Sequence, residues 1–123
     1  MTSIPLPPGR PARAGSPPAA WHVVPGRASV TARSADGEVA EAVLCDDEEL
    51  LRVDVRASRP LPARTAAALV TELFRGRAFR RSRPVQVALP AGHHEVFTEV
   101  HGRLADVDAH VAGATCLLTG RVR

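Results

Sequence analysis

The chain has 123 residues, is 45% hydrophobic and 24% charged, and carries a net charge of +3 whose basic side is sixteen arginines with no lysine. That length suits one domain with a hydrophobic core of its own, and the composition excludes a collagenous, disulfide-stapled or wholly disordered chain. No apolar run is long enough to span a bilayer.

Aromatic residues are only 3% of the chain, so the core must be built from Val, Leu and Ala. The absence of Lys, Asn and Tyr beside abundant Ala, Arg, Val and Pro points to a GC-rich bacterial genome. It also lowers the weight of any single arginine as a functional signal. The two cysteines, Cys45 and Cys116, share no CxxC spacing. With no apolar leader in "MTSIPLPPGR", the expectation is a cytoplasmic protein with reduced thiols.

Residues 1–20 hold Pro5, Pro7, Pro8, Pro11, Pro17 and Pro18, which block helix and interrupt any ladder. They are read as a disordered, proline-rich tail. The single domain is expected over 21–123, beginning near Trp21. "ASVTAR" (28–33) and "EVAEAVL" (38–44) flank Asp36-Gly37, a hairpin signal. "CDDEE" (45–49) is a second turn. "LLRVDVRA" (50–57) alternates Leu51, Val53, Val55 and Ala57 against Arg52, Asp54 and Arg56, the pattern of a half-buried strand.

A helix follows. Pro62 suits its first turn, Ala66, Leu69, Val70, Leu73 and Phe74 form one apolar stripe, and Gly76 is placed to end it. "PVQVALP" (84–90) is a strand with Val85, Val87 and Leu89 alternating. Residues 93–104 form a second helix, and "DVDAHVA" (106–112) and "TCLLTGRVR" (115–123) are closing strands. The order β-β-β-α-β-α-β-β implies a single α/β (α+β) domain with a mixed sheet and two packed helices.

The second helix raises a question of chemistry, because "AGHHEVFTEVHG" (91–102) packs three histidines and two glutamates into twelve positions. On a wheel of about 100° per residue, Val96, Phe97, Val100 and Leu104 face the core with His93 among them. His94 and His101 share a flank. They lie seven residues apart, about 10 Å along the axis, too far to ligate one zinc together. Thr98 stands where HExxH requires its second histidine. No metal, cofactor or catalytic residue is assigned, and His93 is read as a hydrogen-bonded core histidine.

The strongest charged feature is "RGRAFRRSR", with Arg75, Arg77, Arg80, Arg81 and Arg83 in nine residues. Guanidinium groups grip carboxylate or phosphate bidentately, and this run begins at a helix C-terminus, where cations are favoured. Phe79 is its only aromatic, a poor basis for stacking on single-stranded nucleic acid. The acidic run Asp46, Asp47, Glu48 and Glu49 lacks the ligand spacing of a calcium loop, and Cys45 beside it is a poor nucleophile.

The element order resembles the second half of the GNAT acetyltransferase fold. The resemblance places "RPLPARTA" (Arg59–Ala66) where that family holds a Q/R-x-x-G-x-G/A loop whose backbone amides bind the cofactor pyrophosphate. Arg59 matches the first position, but Pro62 and Arg64 stand at both glycine positions. No functional residue is carried over. A ferredoxin-like arrangement is the other fold considered.

With no catalytic constellation, the reading is a non-enzymatic interaction or accessory protein that binds an acidic partner through the arginine cluster, with a protein partner or a homodimer through a sheet edge. A degenerate GNAT-type acyltransferase and a nucleic-acid-binding protein are the alternatives. No membrane association is expected.

Overall fold

The computed structural model describes residues 20–123, so the proline-rich tail lies outside the described residues except for Ala20. Seven strands and two helices follow in the order β1 (Trp21–Pro25), β2 (Ser29–Ser34), β3 (Val39–Asp46), β4 (Leu51–Ala57), α1 (Ala63–Phe74), β5 (Pro84–Pro90), α2 (His94–Gly102), β6 (Leu104–Ala112) and β7 (Thr115–Val122). They form one sheet of order β1-β2-β3-β4-β5-β7-β6. Every neighbouring pair is antiparallel except β4 and β5, which run parallel. A parallel pair needs a crossover, and α1 supplies it.

This is the expected mixed α/β domain with one strand more at its start. The ladder differs from the β-α-β-β-α-β order of a ferredoxin-like fold. The extra strand, β1, turns straight into β2 through Gly26, Arg27 and Ala28, closed by a 2.6 Å hydrogen bond from the Gly26 amide to the Ser29 carbonyl. Its periodicity is masked because Val24, on the outward side, is apolar yet 55% exposed. Four apolar or amphipathic residues in a row beside a proline tail carry no alternation to read.

Each strand buries one face only. Val30 and Ala32, Ala40 and Ala42, Leu51, Val53 and Val55, then Val85, Val87 and Leu89 are buried at every second position, as the two-residue period demands. Both helices pack on this face and on each other, α1 over β1 and β2, α2 over β6. The small alanines of β2 and β3 leave room for α1, whose Ala66, Leu69, Val70 and Leu73 fill the layer as its spacing predicts. Phe74 is only half-buried. No helix covers the opposite face among the described residues, and Arg52, Asp54 and Arg56 stand exposed there.

The turns obey local chemistry. Gly37 adopts φ +88°, which the hairpin requires, and the Ser34 hydroxyl accepts from the Asp36 and Glu38 amides. β6 begins at Leu104, before its expected start, and carries a bulge between Ala105 and Asp108 with Asp106 at φ 55°. No described helix is long and apolar enough to cross a membrane.

Candidate functional site

The structure gathers the arginine run at one end of the sheet, but not as a uniform patch. α1 ends at Phe74, with Arg75 as its C-cap and the Gly76 amide bonded to the Leu73 carbonyl. Phe79 then folds back on Phe74, ring centroids 4.4 Å apart, and is buried. This contact pins the loop and leaves Arg75, Arg77, Arg80 and Arg81 exposed.

Arg83 goes the other way. It is one of three buried polar residues among those described, at 7% exposure. Its guanidinium donates to the Ala78 carbonyl at 3.0 Å, to the Asp47 carbonyl at 2.7 Å and to the Asp46 carboxylate. The hydrogen bond from Arg83 holds the Asp46 carboxyl below its ordinary value, with Arg80 adding a weaker pull. Arg83 thus ties the β3–β4 turn to the loop before β5 and does not face solvent. Of the acidic run, Asp46 alone ion-pairs with the cluster.

Two further arginines reach this end from β7. The Ser82 amide donates to the Val122 carbonyl at 2.7 Å and the Val122 amide to the Arg83 carbonyl at 3.0 Å, lacing the loop to the strand. Arg121 donates to the Ser82 carbonyl at 3.2 Å, and Arg123 to the Leu104 carbonyl at 3.1 Å. Arg103, the C-cap of α2, bonds Thr71 Oγ1 at 2.8 Å and lies 5.9 Å from the Phe74 ring centre. Arg75 pairs with Glu72 at 2.8 Å. Arg77, Arg80, Arg81, Arg121 and Arg123 form no ion pair among the described residues. The sequence run missed Arg121 and Arg123 because only the β5–β7 pairing at Arg121 and the Val122 bonds to Ser82 and Arg83 bring the end of the chain beside it.

The histidine-rich helix places its three imidazoles as the wheel predicts, apart from the hydrogen bond expected of His93. His94 and His101 are exposed, and the His101 ring lies 5.8 Å from Phe97. His93 is buried at the N-cap, as expected of a core position, but its Nδ1 has no hydrogen-bond partner. Burial pushes its imidazole below the ordinary value, favouring the neutral form. The described residues contain no group of three His, Cys, Asp or Glu side chains placed to hold a metal.

β4 and β5 part towards their carboxyl ends. Their pairing ends at Asp54 and Ala88, although β4 runs on to Ala57 and β5 to Pro90. A groove of about 520 Å³ lies on the bare face over the paired part of β3, β4 and β5, bordered by Val43, Cys45, Arg52, Arg56, Gln86 and Ala88. On the other face, α1 starts at Ala63 beside Trp21 and Val23 of β1, with no side-chain cap and no acidic residue in its first turn. Arg59, the residue that matches the acetyltransferase loop, is instead ion-paired to Glu38.

No known protein-family model matches this chain, and no curated protein does. Among solved structures, it is similar to a Sphaerobacter thermophilus protein provisionally described as an acetyltransferase, with 15% identity, a TM-score of 0.49, and 84% of this chain and 70% of that chain covered.

Proposed function

We propose that this domain is a non-enzymatic interaction module that docks an acidic protein surface on its arginine-rich end. The observation behind the reading is the convergence of Arg77, Arg80, Arg81, Arg121 and Arg123, exposed and outside any described ion pair, from a loop and a strand far apart in sequence. The loop is braced by Phe79 and Arg83, so the guanidinium groups are presented from a fixed base rather than a wandering one. Ordering them in advance reduces the entropy lost on docking. The buried position of Phe79 removes the cluster's only aromatic from the surface, which favours an acidic protein over a stacked single strand.

The test compares the native chain with an Arg80→Glu/Arg81→Glu variant as bait in native lysate. A partner held by the native chain should be lost by the variant and released as salt shortens the screening length from about 10 Å to about 3 Å. Identical partners for both baits would refute the site.

A second reading, a degenerate GNAT-type acyltransferase, is favoured by one observation: β4 and β5 stop pairing at Asp54 and Ala88 before either strand ends, so the two part at their carboxyl ends. Crevices beyond strand carboxyl ends hold ligands in open α/β sheets. Thermal stabilisation by acetyl coenzyme A would support this reading, since a ligand of the native state alone must raise its stability. An unchanged melting temperature at saturating concentration would leave the docking reading alone.

A further inference from the structure

Among the described residues the sheet has two free edges, and they differ. β1 has five residues and ends in Pro25, which offers no amide donor. β6 has nine residues and pairs only with β7, leaving its outer edge without a strand among the described residues. A long edge with apolar side chains templates the pairing of another strand unless something blunts it. Residues from Asp108 to Ala112 are all exposed, and Val111 is 63% exposed, the highest value among the large exposed hydrophobics.

The register with β7 fixes the faces. Ala109 lies opposite buried Leu118, and Val111 opposite buried Cys116, so both point to the helix-covered side, and Val107 shares it. Asp108 and His110 point to the bare side. Consider a second copy of β6 added antiparallel about a twofold axis normal to the sheet. Directly opposed residues must share a face, so only every second register is allowed. Centring on Asp108 sets like carboxylates against each other, and centring on His110 sets imidazole against imidazole. Centring on Ala109 opposes each Asp108 to His110 of the other copy and each Val107 to Val111. Both pairs then occur twice, once on each side of the axis, and the small Ala109 side chains meet at the centre.

We propose that β6 is the seam of a twofold homodimer centred on Ala109, in which Asp108–His110 and Val107–Val111 pairs join two seven-stranded sheets into one. The occupant is a second copy because the strand is complementary to itself in one register: donor faces acceptor and apolar faces apolar without help from another sequence. The bulge at Asp106 bends β6 away from a straight ladder and limits the paired stretch to Val107–Val111. This seam is independent of the basic end. Antiparallel pairing would set the two basic ends at opposite ends of the joined sheet.

The experiment is sedimentation equilibrium of the full chain over a wide concentration range. The native chain should show a monomer–dimer equilibrium. Asp108→Arg places cation against imidazole, His110→Glu places carboxylate against carboxylate, and each should raise the dissociation constant about tenfold, since each mispair counts twice. The combined Asp108→Arg/His110→Glu variant restores opposed charges in the same register and should return close to the native value. Asp108 and His110 are both exposed in the monomer, so circular dichroism should show unchanged folding. A native chain that stays monomeric at millimolar concentration would overturn the proposal. So would a dimer indifferent to the single changes, or a double variant as weak as the two losses combined.

Discussion

Gly120 in β7 offers a test in which the usual effect of a substitution should change sign. Its backbone is not left-handed, so Gly→Ala in a strand would ordinarily stabilise by about 0.5–1 kcal/mol. A Cβ at this position, however, would sit 2.9 Å from the Ala105 carbonyl oxygen and 3.1 Å from Leu104 Cβ. Ordinary contact begins at 3.4 Å, and the oxygen belongs to backbone beside the β6 bulge, so β6 itself must move by about half an ångström. Overpacking of this kind costs about 1–3 kcal/mol, which outweighs the conformational gain and leaves a net loss of about 1–2 kcal/mol. Urea denaturation should show a lower midpoint with an unchanged slope, and the melting temperature should fall by about 5 °C or more. Gly102→Ala at the end of α2 is the matched control: its Cβ would meet nothing within 4 Å, and it should be neutral or stabilising by a few tenths of a kcal/mol. A Gly120→Ala protein as stable as the native chain, or a pair of variants shifted in the same direction, would refute the reasoning.

Burial holds the His93 pKa below its ordinary 6.5, so as pH falls below that value the unfolded chain binds a proton that the folded chain refuses. Stability should therefore be full above about pH 6.5 and decline as pH falls towards the folded value; urea midpoints for His93→Leu should lose this slope, and a slope equal to that of the native chain would exclude His93 as its origin. Cys45 is exposed and Cys116 buried, so a thiol reagent should label one equivalent rapidly and the second only as the domain opens. Simultaneous labelling of both would contradict the packing of β7 against the helices.

What could be read from the sequence was what lies within a single element. The alternation of Leu51, Val53 and Val55 and the stripe from Ala66 to Leu73 report local periods of two and 3.6, and the structure buries those residues. The element order followed from them. What escaped depends on contacts between distant segments. Arg83 looks like its four exposed neighbours in sequence, but Asp46, 37 residues away, draws it inside. Arg121 joins the cluster only through the β5–β7 register, which sets it opposite Pro84, and Arg123 only through the end of β7 beside Leu104. The helical wheel puts His93 on the core side, as the structure does, whereas the lack of a partner for Nδ1 depends on which backbone groups surround it. β1 escaped for another reason: an edge strand need not alternate when one of its valines faces water.

The lone parallel contact also says how the chain can assemble in time. β1 to β4 are successive hairpins, and β6 with β7 is another, so each can zip outward from its own turn at small loop-closure cost. β5 has no such neighbour. Its partners are β4, reached across the whole crossover from Ala57 to Pro84, and β7, reached across α2 and β6. The nucleus that commits the chain must therefore bring β5 between two preformed hairpin units, and side chains such as Val87 should govern how fast the domain forms, while those of β1 govern chiefly how fast it comes apart.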